Sequence, residues 1–173
     1  MSVQTPYSLR VIRPDELSEY KKIRLEALQR EPSFFGSSHA FELALPEEEW
    51  EDRLTNPDRV VFGLYYKDQE LIGITSVLAD DEEPEKGYMT QTYIRKEHRG
   101  QKLSHLFYDA RIAWAKQRGL EYLEIGHRES NLISKAAMLH FGFEYTHRVS
   151  RNWPDGTSED MLYYKLSLRP KKG

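Results

Sequence analysis

Arg95-Lys96-Glu97-His98-Arg99-Gly100-Gln101-Lys102-Leu103-Ser104 decides how this chain is read. Before this stretch, residues 87–94 alternate like a strand. After it, Leu103, Leu106, Phe107, Ala110, Ala113 and Trp114 recur at helical spacing within residues 102–118. The stretch is therefore a strand-to-helix turn. A helix N-terminus presents unpaired N–H groups and a partial positive charge, which suits an anion. Gly100 lets the backbone approach a ligand closely. Arg95, Lys96, Arg99 and Lys102 add cations. The combination fits a pyrophosphate better than a small neutral ligand; a solvated turn is the plainer alternative.

The rest of the chain supplies elements on both sides. Residues 7–12 read as a first strand. Pro14-Asp15-Glu16 opens a helix striped by Leu17, Tyr20, Ile23, Ala27 and Leu28. That helix should stop at Glu31, because Pro32 disfavours helix at the residue before it. Ser33-Phe34-Phe35-Gly36-Ser37-Ser38 follows as a loop, and Pro46 starts a short helix with Trp50 and Leu54 inward. Residues 60–66 and 71–78 read as a hairpin. In residues 87–94, period-two alternation predicts Tyr88, Thr90, Thr92 and Ile94 on one face. Residues 120–125 read as a strand, 131–141 as a helix ended by Gly142, and 143–150 and 160–168 as strands around the turn Trp153-Pro154-Asp155-Gly156. No repeat or linker interrupts the pattern. It predicts a single α/β domain over residues 1–173, with a mixed, mostly antiparallel sheet flanked by helices.

Composition narrows the function. The chain of 173 residues has net charge −3, which does not mark a nucleic-acid binder. The basic tail at residues 169–172 reads as a solvated terminus. There is no cysteine, so disulfides, thiolate metal sites and a cysteine nucleophile are excluded. No apolar run approaches the roughly 18 residues of a membrane span, and residues 1–7 lack a signal peptide's apolar stretch. A cytoplasmic protein is the expectation. Six histidines, at 39, 98, 105, 127, 140 and 147, show no metal spacing.

The turn resembles the acyl-CoA loop of the GNAT superfamily of N-acetyltransferases, whose motif is Arg/Gln-x-x-Gly-x-Gly/Ala. Arg99 matches the first position, and Gly100 is common after it, but Lys102 and Ser104 stand at the two small positions. Asn131 followed by Gly142-Phe143 is similar to the family's later helix and strand. Arg24-Leu25-Glu26-Ala27-Leu28, Pro32 and Phe35-Gly36-Ser37-Ser38 look like its N-terminal region, and the Asp-Gly turn before the last strand is similar too. The likeness spans most of residues 7–168, and its force lies in order and spacing.

The resemblance implies a sheet splayed between its fourth and fifth strands and acetyl-CoA as co-substrate. It implies that the backbone of Thr92 and Ile94 meets the pantetheine and acetyl groups. N–H groups of Arg99, Gly100, Gln101, Lys102, Leu103, Ser104 and His105 would hold the pyrophosphate. Asn131 and Lys135 would touch the cofactor from the other side. The implied reaction is direct attack by a primary amine of a small molecule or peptide on the thioester, with the Ile94 N–H polarising the carbonyl. A homodimer is common among similar proteins.

Where the family usually places a proton-donating Tyr, this chain has Met138; where many members place a Glu base, it has Tyr88. His127, read as lying just past the fifth strand, is the titratable replacement, its reference pKa being near 6.5. A loop histidine is the alternative, and Tyr145 and His140 are weaker substitutes. An amine of pKa about 10.4 is neutral roughly once in 2,500 at pH 7, and one of pKa about 7.8 about once in seven. A site without a carboxylate base therefore leans toward α-amines. Phe34, Phe35, Tyr88 and Thr90 are the candidate acceptor contacts, with the 153–156 turn. A non-catalytic acyl-CoA-binding module is the second reading, motivated by Met138 and the degenerate glycines, and an interaction domain the third.

Overall fold

A computed structural model describes residues 5–169. Most of the basic tail and the first residues of the chain lie outside the described residues.

The strands are β1 (Tyr7–Val11), β2 (Arg59–Tyr66), β3 (Glu70–Ala79), β4 (Lys86–Ile94), β5 (Tyr122–Arg128), β6 (Glu144–Asn152) and β7 (Ser158–Ser167). They form one sheet in the order β1-β2-β3-β4-β5-β7-β6. Every neighbouring pair is antiparallel except β4 and β5, which run parallel. A parallel pair needs a crossover, and the helix α4 (Ser104–Gln117) supplies it. The other helices are α1 (Leu17–Arg30), α2 (His39–Leu43), α3 (Glu47–Thr55) and α5 (Leu132–His140). This is the mixed sheet with flanking helices that the sequence implies.

Alternation along β2 divides the core. Val61 packs with Ile23, Ala27, Leu28 and Trp50 of α1 and α3. Val60 and Phe62 point the other way, toward Tyr108 and Ala115 of α4 and Met138 of α5. Helix α1 ends before Pro32, as expected. Helix α2 was not foreseen. Ser38 caps it, accepting from Phe41 N–H at 3.2 Å, and its Glu42 is buried between Arg24 and Arg53.

Strand β4 departs from strict alternation. Ile74 faces Tyr93 but Ser76 faces Thr90, so Gln91 and Thr92 together oppose Thr75. Gln91 forms this bulge at φ +62°. Its side chain is held by the Tyr20 hydroxyl, which donates to Oε1 at 2.6 Å. The bulge corrects the predicted face. Met89 lies in the α4-side core, which puts Tyr88 and Thr90 on the α1 side. Thr92 and Ile94 lie on the α4 side, Thr92 bonded to Arg111 and Ile94 packed near Leu103 and Phe107.

A cleft between β4 and β5

β4 and β5 share three register pairs, Lys86↔Tyr122, Gly87↔Leu123 and Tyr88↔Glu124. Gly87 permits this approach: a Cβ there would lie 2.8 Å from Leu123 Cδ2. From Thr90 onward β4 has no partner on its β5 side, and Thr92 is exposed within a strand that is central in the sheet order. The sheet is splayed between its fourth and fifth strands, as expected. Because the two strands are parallel, the cleft opens toward their C-terminal ends. Helices α4 and α5 begin at those same ends. Two helix N-termini thus flank one mouth, a favourable place for an anion.

The cleft wall carries a free backbone N–H. Arg95 N–H donates to Ile72 O at 2.8 Å, so alternation turns the Ile94 N–H and C=O away from β3 and into the cleft. Arg99 Nε donates to the Ile94 carbonyl at 2.7 Å, and its Nη2 pairs with Glu31 at 3.1 Å. Arg99 therefore pins the turn to the strand end. His98 Nδ1 bonds the Tyr7 hydroxyl at 2.8 Å, a second anchor.

In the turn, Gly100 takes φ +80° and Lys102 φ +58°. Gln101, Lys102, Ser104 and His105 are exposed, and Leu103 is buried. Lys102 thus occupies a glycine-like conformation with its side chain outward. His105 turns back, its Nδ1 2.6 Å from Lys102 O. Left-handed backbone costs a non-glycine residue about 1–2 kcal/mol, part of which returns as glycine's extra unfolded freedom. Lys102→Gly is expected to raise Tm by about 2 °C in a thermal melt.

On the opposite lip, Asn131 caps α5, its Oδ1 accepting from Ser134 N–H at 3.1 Å, and Lys135 is exposed one turn further on. Met138 is buried in the core with Tyr108 and Phe143.

Several expected roles change. His127 lies within β5, not past it. It is 3% exposed, with Nδ1 2.7 Å from Arg128 O and Nε2 3.2 Å from the Tyr164 hydroxyl. Both ring nitrogens are occupied, so it is not an open base. The cause is three extra strand residues, Gly126, His127 and Arg128, that pair with β7. Phe35 is buried under the Arg24 guanidinium in the α1-side core, whereas Phe34 is exposed. Burial, then Tyr163 and Glu124, push the Tyr88 phenol well above the usual tyrosine range, with Arg151 opposing. It is no base near neutral pH.

Two residues that the sequence reading missed join Tyr88 and Thr90. Glu124 stands at the last paired rung beside Tyr88, ion-paired to Lys86 at 3.1 Å. The half-buried Arg151 of β6 donates to Gly36 O at 2.9 Å and has no carboxylate partner among the described residues. Alternation of Tyr122, Glu124 and Gly126 against Leu123 and Ile125 was the available signal for Glu124. Among the described residues, no three His, Cys, Asp or Glu side chains are grouped for a metal. No helix there is long and apolar enough to cross a membrane.

The model of the acetyltransferase (GNAT) family matches residues 23–143. The chain belongs to the GNAT family. No curated protein matches this GNAT sequence significantly. Its fold is that of the GNAT-family acetyltransferase of Streptococcus pneumoniae, at TM-score 0.79 and 17% identity over 93% of this chain and 99% of that one. It is also that of yncA of Salmonella typhimurium with its cofactor acetyl-CoA, at 0.76 and 15% over 98% of each. The ribosomal-protein-alanine N-acetyltransferase of Brucella melitensis is similar at 0.75 and 15%, over 92% and 99%.

Proposed function

We propose that this GNAT protein moves an acetyl group from acetyl-CoA to a primary amine of a small molecule or peptide, by direct attack. The observation that carries the reading is the unpaired β4 edge, with Ile94 N–H facing a cleft whose mouth holds two helix N-termini. These residues fit the cofactor. Thr92 and Ile94 offer a strand edge to pantetheine, and the N–H groups of residues 100–105 offer a cradle to the pyrophosphate, the Arg99 N–H being taken by Lys96 O at 3.2 Å. Lys102 and Lys135 add charge at the two lips, with Asn131 beside the second. The yncA structure holding acetyl-CoA supports this assignment. Acetyl-CoA supplies the acyl group as an activated thioester.

The chain's own residues do the rest. Ile94 N–H polarises the reacting carbonyl. Glu124, at the apex of the cleft, takes the proton from the amine. Arg151, facing Tyr88 without a carboxylate of its own, orients an acceptor that carries an anionic group beside its amine. Such acceptors include free α-amino acids. That the Brucella melitensis neighbour is a ribosomal-protein-alanine N-acetyltransferase agrees with an α-amine.

The test is coenzyme A release from acetyl-CoA across a panel of amines, with the product identified by mass. Turnover of α-amines well above lysine side chains is expected. Binding of acetyl-CoA without turnover of any amine would leave the non-catalytic acyl-CoA module, which the apolar Met138 favours. Glu124→Gln is expected to lower kcat about 100-fold. KM for acetyl-CoA should stay within about twofold, since Glu124 lies at the far end of the cleft from the phosphate cradle.

A further inference from the structure

Arg111 of α4 has no exposed surface. Its Nε donates to Phe107 O at 3.0 Å, and its Nη1 donates to Thr92 Oγ1 at 3.2 Å. Nη2 is buried with no partner. The guanidinium lies over the Tyr108 ring, 4.9 Å from its centroid. No carboxylate pairs with it among the described residues, in contrast to Arg24 and Arg53, which share Glu42. A buried charge without a counter-charge is among the most expensive arrangements in a protein. Burial lowers its pKa to about 10, so it still carries its charge at neutral pH. A standing positive potential is thus built into the interior directly behind Thr92.

The hydroxyls in front of it have a defined direction. Thr75 is fully buried, and its Oγ1 meets Thr92 Oγ1 at 2.8 Å. That is its one side-chain hydrogen bond among the described residues, so its proton is satisfied by donation to Thr92. Arg111 donates to the same oxygen. With both lone pairs of Thr92 Oγ1 occupied, its own proton is left to point into the cleft, where Thr92 is exposed. A cation, relayed through one hydroxyl, therefore faces the cleft as a hydrogen-bond donor. Met138 leaves the chain without the expected tyrosine donor at this same α4/α5 side of the cleft.

We infer that Thr92 hydrogen-bonds the coenzyme A sulfur and that Arg111, acting through Thr92 as a positioning residue, stabilises that sulfur as a thiolate. The inference rests on the acetyl-CoA reading above. In the transfer, the amine nitrogen bonds to the acyl carbon and the carbon–sulfur bond breaks. The sulfur keeps the electron pair, and the amine's proton passes to Glu124 and then to solvent. Thr92 and Arg111 keep their protons throughout.

The test uses the full chain with bound coenzyme A and reads the ultraviolet absorbance of the thiolate as pH is raised. The wild-type complex should show a thiol pKa at least one unit below that of free coenzyme A. Thr92→Val and Arg111→Met should each return it by about one unit, and Thr92→Ser should keep it low. Arg111→Met should also hold or raise Tm, because exchanging an unpaired buried charge for an apolar side chain of similar length is neutral or stabilising. Equal thiol pKa values in wild type and Thr92→Val would overturn the inference. So would a shift produced by Tyr108→Phe and not by Thr92→Val, or an Arg111→Met protein that loses stability while its bound thiol is unchanged. If Arg111→Met does not fold, Thr92→Val decides alone. Desulfo-coenzyme A should bind wild type and Thr92→Val equally. Failure of wild type to bind either compound would sink the acetyl-CoA reading itself.

Discussion

Ile94→Pro should lower kcat/KM for acetyl transfer by roughly 1,000-fold, the upper end for loss of one oxyanion donor, while the protein remains folded. Proline removes one N–H. At residue 94 that N–H belongs to no ladder, because Arg95 N–H is the one that reaches β3, at 2.8 Å from Ile72 O. Proline in a strand is tolerated where its nitrogen faces away from the neighbouring strand. Tyr93, the preceding residue, is already in extended strand pairing, the region that proline demands of it. Some packing against Leu103 and Phe107 is lost, so Ile94→Val is the matched control. It keeps the N–H and should stay within a few-fold of wild type. Steady-state kinetics with circular dichroism on both variants makes the measurement. A folded Ile94→Pro protein with nearly full activity would remove this N–H from the reaction.

Glu42→Gln should cost about 3–5 kcal/mol of stability. At roughly 2–4 °C per kcal/mol for a chain of this size, Tm should fall by about 10 °C. Glu42 is 2% exposed. Its Oε1 accepts from Arg24 Nε at 2.9 Å and Arg53 Nη1 at 2.8 Å, and its Oε2 accepts from Arg24 Nη2 at 2.8 Å. A carboxamide would set an N–H₂ group against one of these donors and strand two enclosed guanidinium groups. Burial pushes the Glu42 carboxyl up, but the hydrogen bonds and charge of Arg24, with the hydrogen bond of Arg53, outweigh it and bring the pKa from 4.5 to about 2. The folded pKa is depressed, so this stabilisation is present above about pH 4.5 and is lost as pH falls toward 2. The Tm difference between wild type and Glu42→Gln should therefore be widest near neutral pH and shrink across that window. Helix α2 flanks residues 31–38, whose Gly36 carbonyl holds Arg151. A rise in KM for the amine, with KM for acetyl-CoA steady, should accompany the loss.

The features that the sequence disclosed are local ones. The turn after β4 could be read because glycine, clustered cations and a helical period all lie within about twenty residues. Helix α1 stops where Pro32 requires it. Other features depend on contacts between distant segments. Gln91 is an unremarkable strand residue until Tyr20, from another helix, holds its side chain in the bulge. That single distortion sends Thr92 to the opposite side from Thr90, which period-two reading cannot foresee. His127 became part of β5 because β7 runs long enough to pair with it, down to Met161↔Arg128. Phe34 and Phe35 look equivalent on paper, yet only one finds a guanidinium and a core to pack against. Arg111 lies outside the helical stripe that the sequence suggests, since an apolar pattern has no place for a charge. Its burial is visible only once α4 lies against the sheet.

The three rungs that join β4 to β5 make the molecule a pair of tweezers. A ladder resists shear and splay only where its rungs are, and these sit at one end. Each arm carries a helix rooted at its tip, so a small change of angle at the joint is magnified at the mouth. The joint is built from Gly87 against Leu123 and Leu120, with Lys86 fastened to Glu124. Bulk added at residue 87 would widen the far opening without any side chain there being altered. The width of the mouth is thus governed from the closed end.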